Sequence, residues 1–275
     1  MSAFQDRQQG GQQGGQLDVL RVGCWSFAAT DQLALNEAAI RRGIHAAAAA
    51  GVQVLLTPEC CLTGYPGAVR SDFIGVDGCA LAEREDLLLR LADQHGLTLV
   101  LGSAAPDGCG GWTNDAATLS ARYRKRCLTP GDETHFAPGS AATVITVAGW
   151  RCGLAICYDL RFADVWADLH RLDVDVLLVL AHMAGPDPDP GTKALVIPAF
   201  CAVRAAEAAT PLVFCNTTAA DRWLETATWD ARGLRCAQPL TSNAAEQLTL
   251  SDLAPRTTLP PWYAALRATY LSRLR

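Results

Sequence analysis

The sequence predicts an α/β fold with helices layered over sheet, and three observations carry that reading. Apolar runs of strand length alternate along the chain with longer stretches of helical periodicity. The strand-like runs are apolar on both faces, as strands covered on both sides are. Several of them stop at a polar or reactive residue, and the carboxyl ends of strands are where α/β sheets build their sites.

Residues Met1 to Gln16 are rich in Gln and Gly and hold too little apolar surface to offset chain entropy. A disordered tail is expected over 1–16, followed by one domain over 17–275. Leu17–Cys24 reads as a strand. Asp31 is placed to cap a helix over Gln32–Ala50, which Gly51 closes. Val52–Leu56 is branched, apolar and ends at Thr57-Pro58, so it reads as a strand. Glu83–Gln94 is helical and stops near Gly96. Leu97–Gly102, Thr113–Ser120 and Thr143–Val147 have strand length and composition. Arg151–Ile156 is a strand that stops at Cys157. Asp164–Leu172 is a short helix, and Val174–Leu180 is the clearest buried strand. Lys193–Ala208 has helical texture interrupted near Pro198, and Pro211–Asn216 is a further strand. Leu259–Arg275 is a C-terminal helix with Pro260 and Pro261 near its start.

The composition narrows the function classes. With 275 residues, half of them hydrophobic, the chain can bury one large core. The net charge is −5, and the densest basic run, Arg122 to Arg126, is too short for a nucleic-acid footprint. No apolar run reaches the roughly 18 residues that a membrane span needs. The N-terminus carries no apolar signal core, so a cytoplasmic location is expected. The eleven cysteines lie mostly in apolar stretches, with no CxxC pair and no Cys/His spacing of the zinc kind. They read as reduced, buried thiols, and neither metal nor cofactor is expected.

Four predicted strands lead to residues that carry chemistry: Glu59, Cys157, His182 and Asn216. A thiol where a strand meets a helix, as at Cys157, can meet free backbone N–H groups that lower its pKa and bind an oxyanion. The alternative, one more buried structural cysteine, carries equal weight on position alone. Glu59 lies among apolar residues, which favours the neutral acid and raises the pKa toward that of a general base; a surface carboxylate is the other reading. Lys125, in Tyr123-Arg124-Lys125-Arg126, is either a site cation or part of a solvated basic turn.

Three motifs, in this order, resemble the nitrilase superfamily of carbon–nitrogen hydrolases over Leu17 to Leu253. The first is Pro58-Glu59 with Thr63-Gly64-Tyr65-Pro66. The second is Tyr123-Arg124-Lys125, then Glu133 and Phe136-Ala137-Pro138-Gly139. The third, and the most specific, is Gly153-Leu154-Ala155-Ile156-Cys157-Tyr158-Asp159-Leu160-Arg161-Phe162. The resemblance implies a four-layer α-β-β-α sandwich and a homodimer or higher homo-oligomer. It implies Glu59, Lys125 and Cys157 as the catalytic triad, and Glu133, eight residues beyond Lys125, as a supporting carboxylate. It also implies that the backbone N–H of Tyr158 joins Lys125 at the oxyanion and that Tyr65, His182 and Met183 fall on the substrate side, with core packing the other reading of Tyr65 and a histidine satisfied by backbone carbonyls the other reading of His182.

The substrate expected is a small amide. Tyr158-Asp159 after the cysteine resembles amidases and carbamoylases, whereas true nitrilases usually carry Trp-Glu there. This points to an ω-amide or N-carbamoyl compound rather than a nitrile. The resemblance implies a thioester intermediate on Cys157; an acyltransferase using that thioester, nitrile hydrolysis, and a silent binding protein of the same fold are the alternatives. The chain departs from the family pattern at Cys127-Leu128, Ala163-Asp164 and Asn216-Thr217-Thr218-Ala219, and its hairpin between Asn114 and Lys125 is shortened. None of these is a triad position. Trp112 is assigned to core packing before pocket lining, and Arg204 with Glu207 to a structural ion pair.

Overall fold

The computed structural model describes residues 17–186, 189–236, 238–239 and 245–274; the expected disordered tail over 1–16 lies outside the described residues. The described strands are β1 (Leu20–Phe27), β2 (Val54–Leu56), β3 (Thr98–Pro106), β4 (Trp112–Ala117), β5 (Arg122–Arg124), β6 (Thr143–Val147), β7 (Trp150–Ile156), β8 (Val176–Leu180), β9 (Leu212–Cys215), β10 (Ala227–Trp229), β11 (Gln238–Pro239) and β12 (Glu246–Leu253). The described α-helices are α1 (Leu33–Ala49), α2 (Gly78–Gln94), α3 (Ala163–Arg171), α4 (Pro190–Glu207) and α5 (Pro261–Leu274).

The strands form two sheets, one ordered β11-β12-β1-β2-β3-β4-β5 and the other β10-β9-β8-β7-β6. Alternation along each strand makes them the inner layers of a sandwich. Val22 and Cys24 of β1, with Val54, Leu56 and Val100, meet Leu154, Ile156, Leu178, Leu180 and Cys215 of the second sheet. The opposite face of the first sheet, carrying Trp25, Phe27, Leu55 and Leu99, packs on Ile40, Ile44, Leu88 and Ala92 of α1 and α2. Gly153 of β7 faces Leu169 of α3, so α3 covers the outer side of the second sheet. The α-β-β-α sandwich expected from the family resemblance is therefore the fold. No helix among the described residues is long and apolar enough to cross a membrane.

Several element boundaries moved for local reasons. Asp31 does not cap α1; Gln32 precedes the helix without a side-chain cap, and Asn36 instead ties Thr30 to Leu62. Helix α2 begins at Gly78, well before Glu83, because the Asp77 carboxylate accepts from the N–H groups of Cys79 and Ala80. Helix α4 continues through Pro198, held by Ile197, Cys201 and Ala205 in the core. Strand β12 runs antiparallel along the whole of β1, from Leu20↔Leu253 to Phe27↔Glu246, yet its mixed polarity hid it from a reading based on apolar runs.

The chain direction brings the sites of interest together. Glu59 follows β2, Lys125 follows β5, Cys157 follows β7 and His182 follows β8. The N–H of Glu59 donates to the carbonyl of Ala181 at 3.2 Å, joining the ends of the two sheets at that point.

Candidate active site

Glu59 is 1% exposed and sits on a turn pressed against β3. A Cβ at Gly102 would lie 2.0 Å from the carbonyl oxygen of Pro58, so only glycine lets β3 pass so close beneath the Pro58-Glu59 turn. The carboxylate is held at both oxygens. Oε1 accepts from Lys125 Nζ at 2.6 Å and from Asn114 Nδ2 at 2.7 Å. Oε2 accepts from the backbone N–H of His182 at 2.9 Å. Burial pushes the Glu59 carboxyl above the ordinary carboxylate range, and the Lys125 cation opposes this without cancelling it.

Lys125 is not part of a solvated basic turn. Its neighbours point outward, Arg122 to Glu85 and Asp115 and Arg126 to Asp168, while the Lys125 side chain is 0% exposed. Main-chain bonds fix it: its N–H donates to Asn114 O and its carbonyl accepts from Gly139 N, both at 2.8 Å. A Cβ at Gly139 would fall 2.3 Å from the Arg124 carbonyl, which explains a glycine there. The ammonium has three N–H groups. One goes to Glu59 and one to Asp132 Oδ2 at 2.7 Å. The third has no hydrogen-bond acceptor among the described residues.

The supporting carboxylate is Asp132, and the assignment of Glu133 to that place is corrected. Glu133 is exposed, whereas Asp132 is 1% exposed and binds Lys125, the N–H of Thr129 at 3.0 Å and the Tyr65 hydroxyl at 2.6 Å. The cause is local. Thr129 Oγ1 accepts from Asp132 N while Asp132 accepts from Thr129 N, a reciprocal box across Thr129-Pro130-Gly131-Asp132. The box turns Asp132 inward and its neighbour outward. That T-x-x-D spacing was the sequence signal that could have identified it. Burial pushes the Asp132 carboxyl up, but Lys125, Tyr65 and the Thr129 N–H together hold it below its usual range.

Cys157 directly follows β7 with φ +47°, a left-handed conformation unusual for cysteine. The turn is held by Asp159, whose Oδ2 accepts from Tyr123 Oη at 2.7 Å and Ile156 N at 2.9 Å, and whose Oδ1 accepts from Cys127 N at 2.9 Å. Asp159 thereby binds the cysteine turn to the strand that carries Lys125. A short 3-10 turn over Cys157–Arg161 precedes α3, which places Tyr158 directly after the thiol at its start. Burial and the facing Glu59 carboxylate push the Cys157 thiol well above its ordinary value, against the pull of Lys125. Cys157 therefore rests as the neutral thiol, with the Glu59 carboxylate beside it.

A cavity of about 430 Å³ opens over these groups, lined by Cys157, Tyr158, Tyr65, His182, Met183 and Trp223 among others. Tyr65 and His182 stack with ring centroids 4.9 Å apart and planes 4° apart. Met183 is fixed by Asn216, which accepts from its N–H at 2.8 Å, and Trp223 N donates to the Met183 carbonyl. Trp223, Asn114 and Asp132 were not singled out from sequence. Trp112 stacks on Phe73, away from the cavity, and Arg204 pairs with Glu207 at 3.3 Å, both as expected.

Two expected results follow from these environments. Iodoacetamide, itself a small amide, should alkylate Cys157 ahead of the exposed Cys79, Cys109 and Cys236. Glu59→Gln should slow that labelling by about tenfold or more while sparing the other thiols. Peptide mass spectrometry reads both, and alkylation of the exposed thiols first would remove Cys157 as the nucleophile.

His182 gives a stability effect. Burial, helped by Lys125 and opposed by Asp221, lowers the imidazole from 6.5 to about 4. The unfolded chain therefore binds a proton between those values that the native protein excludes, and stability falls as pH drops through that window. The loss amounts to about 3 kcal/mol. Urea denaturation at pH 7 and pH 4 should show it in the wild type and not in His182→Gln; equal losses in both would refute the assignment.

The family model of the carbon–nitrogen hydrolases matches residues 13–258. The chain is 31% identical to a hydrolase of Mycobacterium tuberculosis over 155 residues, 51% of this chain and 53% of that one. It is 28% identical to an (R)-stereoselective amidase of Pseudomonas sp over 141 residues, 49% of this chain and 50% of that one. The chain thus spans about half the length of the curated relatives it matches. A structure of the amidase from Nesterenkonia sp. AN1, showing covalent addition of the acetamide moiety of fluoroacetamide at the active site cysteine, superposes with a TM-score of 0.72. That match covers 92% of each chain at 21% identity, so the likeness is one of fold.

Proposed function

The chain belongs to the carbon–nitrogen hydrolase family, and from that premise we propose that it hydrolyses a small linear amide, of the ω-amide or N-carbamoyl type, and releases ammonia. The observation that carries this reading is the buried contact of Glu59 with Lys125 at 2.6 Å beneath a cavity on which Cys157 opens. Glu59 takes the thiol proton as Cys157 attacks the carbonyl carbon. The third N–H of Lys125 and the backbone N–H of Tyr158 stabilise the tetrahedral oxyanion. Glu59 protonates the departing nitrogen, then activates water against the thioester, and the acid leaves. Asp132 keeps Lys125 charged and aimed throughout.

The cavity wall favours a substrate that ends in an acid. Arg161 and Lys193 both line it. Arg161 rests on the Tyr158 and Phe200 rings, and the Lys193 ammonium lies 4.1 Å from the centre of the Trp223 ring. Burial and the neighbouring Arg161 lower the Lys193 pKa, so the two cations act on one region. Tyr65, His182 and Met183 line the same cavity and carry no charge at neutral pH. A homodimer is proposed as the working form, supported by the exposed Leu195 and Val203 on α4; sedimentation velocity reads it.

Ammonia release from ω-amides of dicarboxylic acids, N-carbamoyl acids, simple neutral amides and nitriles tests the function, with Cys157→Ala as control. Acid-bearing amides should be the best substrates. Arg161→Met should raise KM for them by about tenfold and leave neutral amides unchanged. Faster turnover of nitriles than of any amide would overturn the substrate assignment.

A further inference from the structure

The two oxygens of Glu59 stand in unequal surroundings. Oε1 accepts two hydrogen bonds, from Lys125 Nζ at 2.6 Å and Asn114 Nδ2 at 2.7 Å, whereas Oε2 accepts one, from His182 N at 2.9 Å. A carboxylate oxygen has two lone-pair directions. Oε1 is therefore filled, and Oε2 keeps one direction open. We propose that Asn114 is a positioning residue of the triad, sealing Oε1 jointly with Lys125 so that the proton of Cys157 is taken up and returned by Oε2 alone. The inference rests on the reading of Glu59 as general base.

Asn114 itself shows that its side chain is held for this contact. It lies on β4, is 0% exposed, and its Oδ1 has no hydrogen-bond partner. A buried acceptor without a partner is destabilising. Rotating the amide would not relieve it, because Oδ1 would then face the Glu59 carboxylate. The orientation with Nδ2 toward Glu59 is thus dictated by the charge opposite. The main chain of the same residue accepts from Lys125 N at 2.8 Å. One residue on β4 places Lys125 with its backbone and Glu59 with its side chain.

The proton steps then balance on one oxygen. In acylation the S–H bond of Cys157 breaks, its proton bonds to Oε2, and the sulfur electron pair forms the S–C bond. As the oxyanion pair re-forms the C=O bond and the C–N bond breaks, the departing nitrogen keeps the C–N bonding pair and takes the proton from Oε2. In deacylation a water proton goes to Oε2 while the water oxygen bonds to the thioester carbon. That proton passes to sulfur as the C–S bond breaks. Oε1 stays bonded to Lys125 and Asn114 in every step, so cation and proton never compete for one oxygen.

Removing the Asn114 amide opens Oε1 and takes away a donor that favours the carboxylate form. In Asn114→Ala the acid limb of kcat/KM should move up by about one pH unit. kcat at neutral pH should fall roughly tenfold with KM little changed. The pH dependence of Cys157 alkylation by iodoacetamide should move with it, a readout that needs no substrate. Asn114→Asp, close in shape, should raise the acid limb further, because a second carboxylate beside Glu59 resists its ionisation. An unmoved acid limb in both variants, with turnover lost in Glu59→Gln, would overturn this inference alone. Turnover retained in Glu59→Gln would overturn it together with the general-base reading.

Discussion

Replacing Lys125 by methionine is expected to lower stability by about 3–5 kcal/mol and turnover by about 10²–10³-fold. The side chains are similar in length, so the change removes charge and donors more than volume. What it leaves behind is two buried carboxylates, Glu59 and Asp132, with no cation between them. In the native protein the depressed Asp132 carboxyl contributes stability above its unfolded value of 3.8, lost as pH falls through the folded value. In Lys125→Met the sign reverses. The pair can keep only one charge, its folded pKa rises above the unfolded value, and the variant loses stability as pH rises. Urea titrations at pH 5 and pH 8 separate the two cases: the gap to wild type should widen at pH 8. On the proposed mechanism the catalytic loss has a separate cause, the missing third N–H at the oxyanion. A variant with wild-type stability and turnover would show that neither role belongs to Lys125.

Glu59→Gln is expected to reduce turnover by about 10²–10⁴-fold with the fold retained. An amide cannot accept the thiol proton or return it to the leaving nitrogen. The swap is less silent than its shape suggests. All three hydrogen bonds at the Glu59 carboxylate are donated to it, by Lys125, Asn114 and His182 N. The Gln NH2 must face at least one of these donors, which costs about 1–3 kcal/mol. Steady-state ammonia release with intact-protein mass reads the result. A mass increase of one acyl group on Cys157 would place the defect in deacylation. Near-wild-type turnover would exclude Glu59 as the base and leave Asp132 or His182 to take the role.

The legibility of the site from sequence differed from residue to residue. Glu59, Lys125 and Cys157 each lie in or beside a run with a strong local pattern, and the family resemblance joined three weak signals into one. The structure brings the first two into contact and sets the thiol beside Glu59, on the cavity wall. Asp132 and Glu133 are adjacent carboxylates, and spacing from Lys125 alone could not decide which turns inward. The Thr129–Asp132 box decides it. Asn114 carries no chemistry of its own and no pattern, so only its position across from Glu59 identifies it.

The sequence by itself determined the α/β class, most strand and helix positions, the family and the three residues at the strand ends. These follow from periodicity, apolar runs and motif order, all properties of neighbours along the chain. Tertiary structure alone decided which oxygen of Glu59 is open, which carboxylate holds Lys125, how Asp159 binds the Cys157 turn to β5, and that β12 lies against β1. Each of those is a contact between residues far apart in the chain or a choice between adjacent side chains. The physical reason is that a hydrogen bond is set by direction and distance in space, while the sequence records only order.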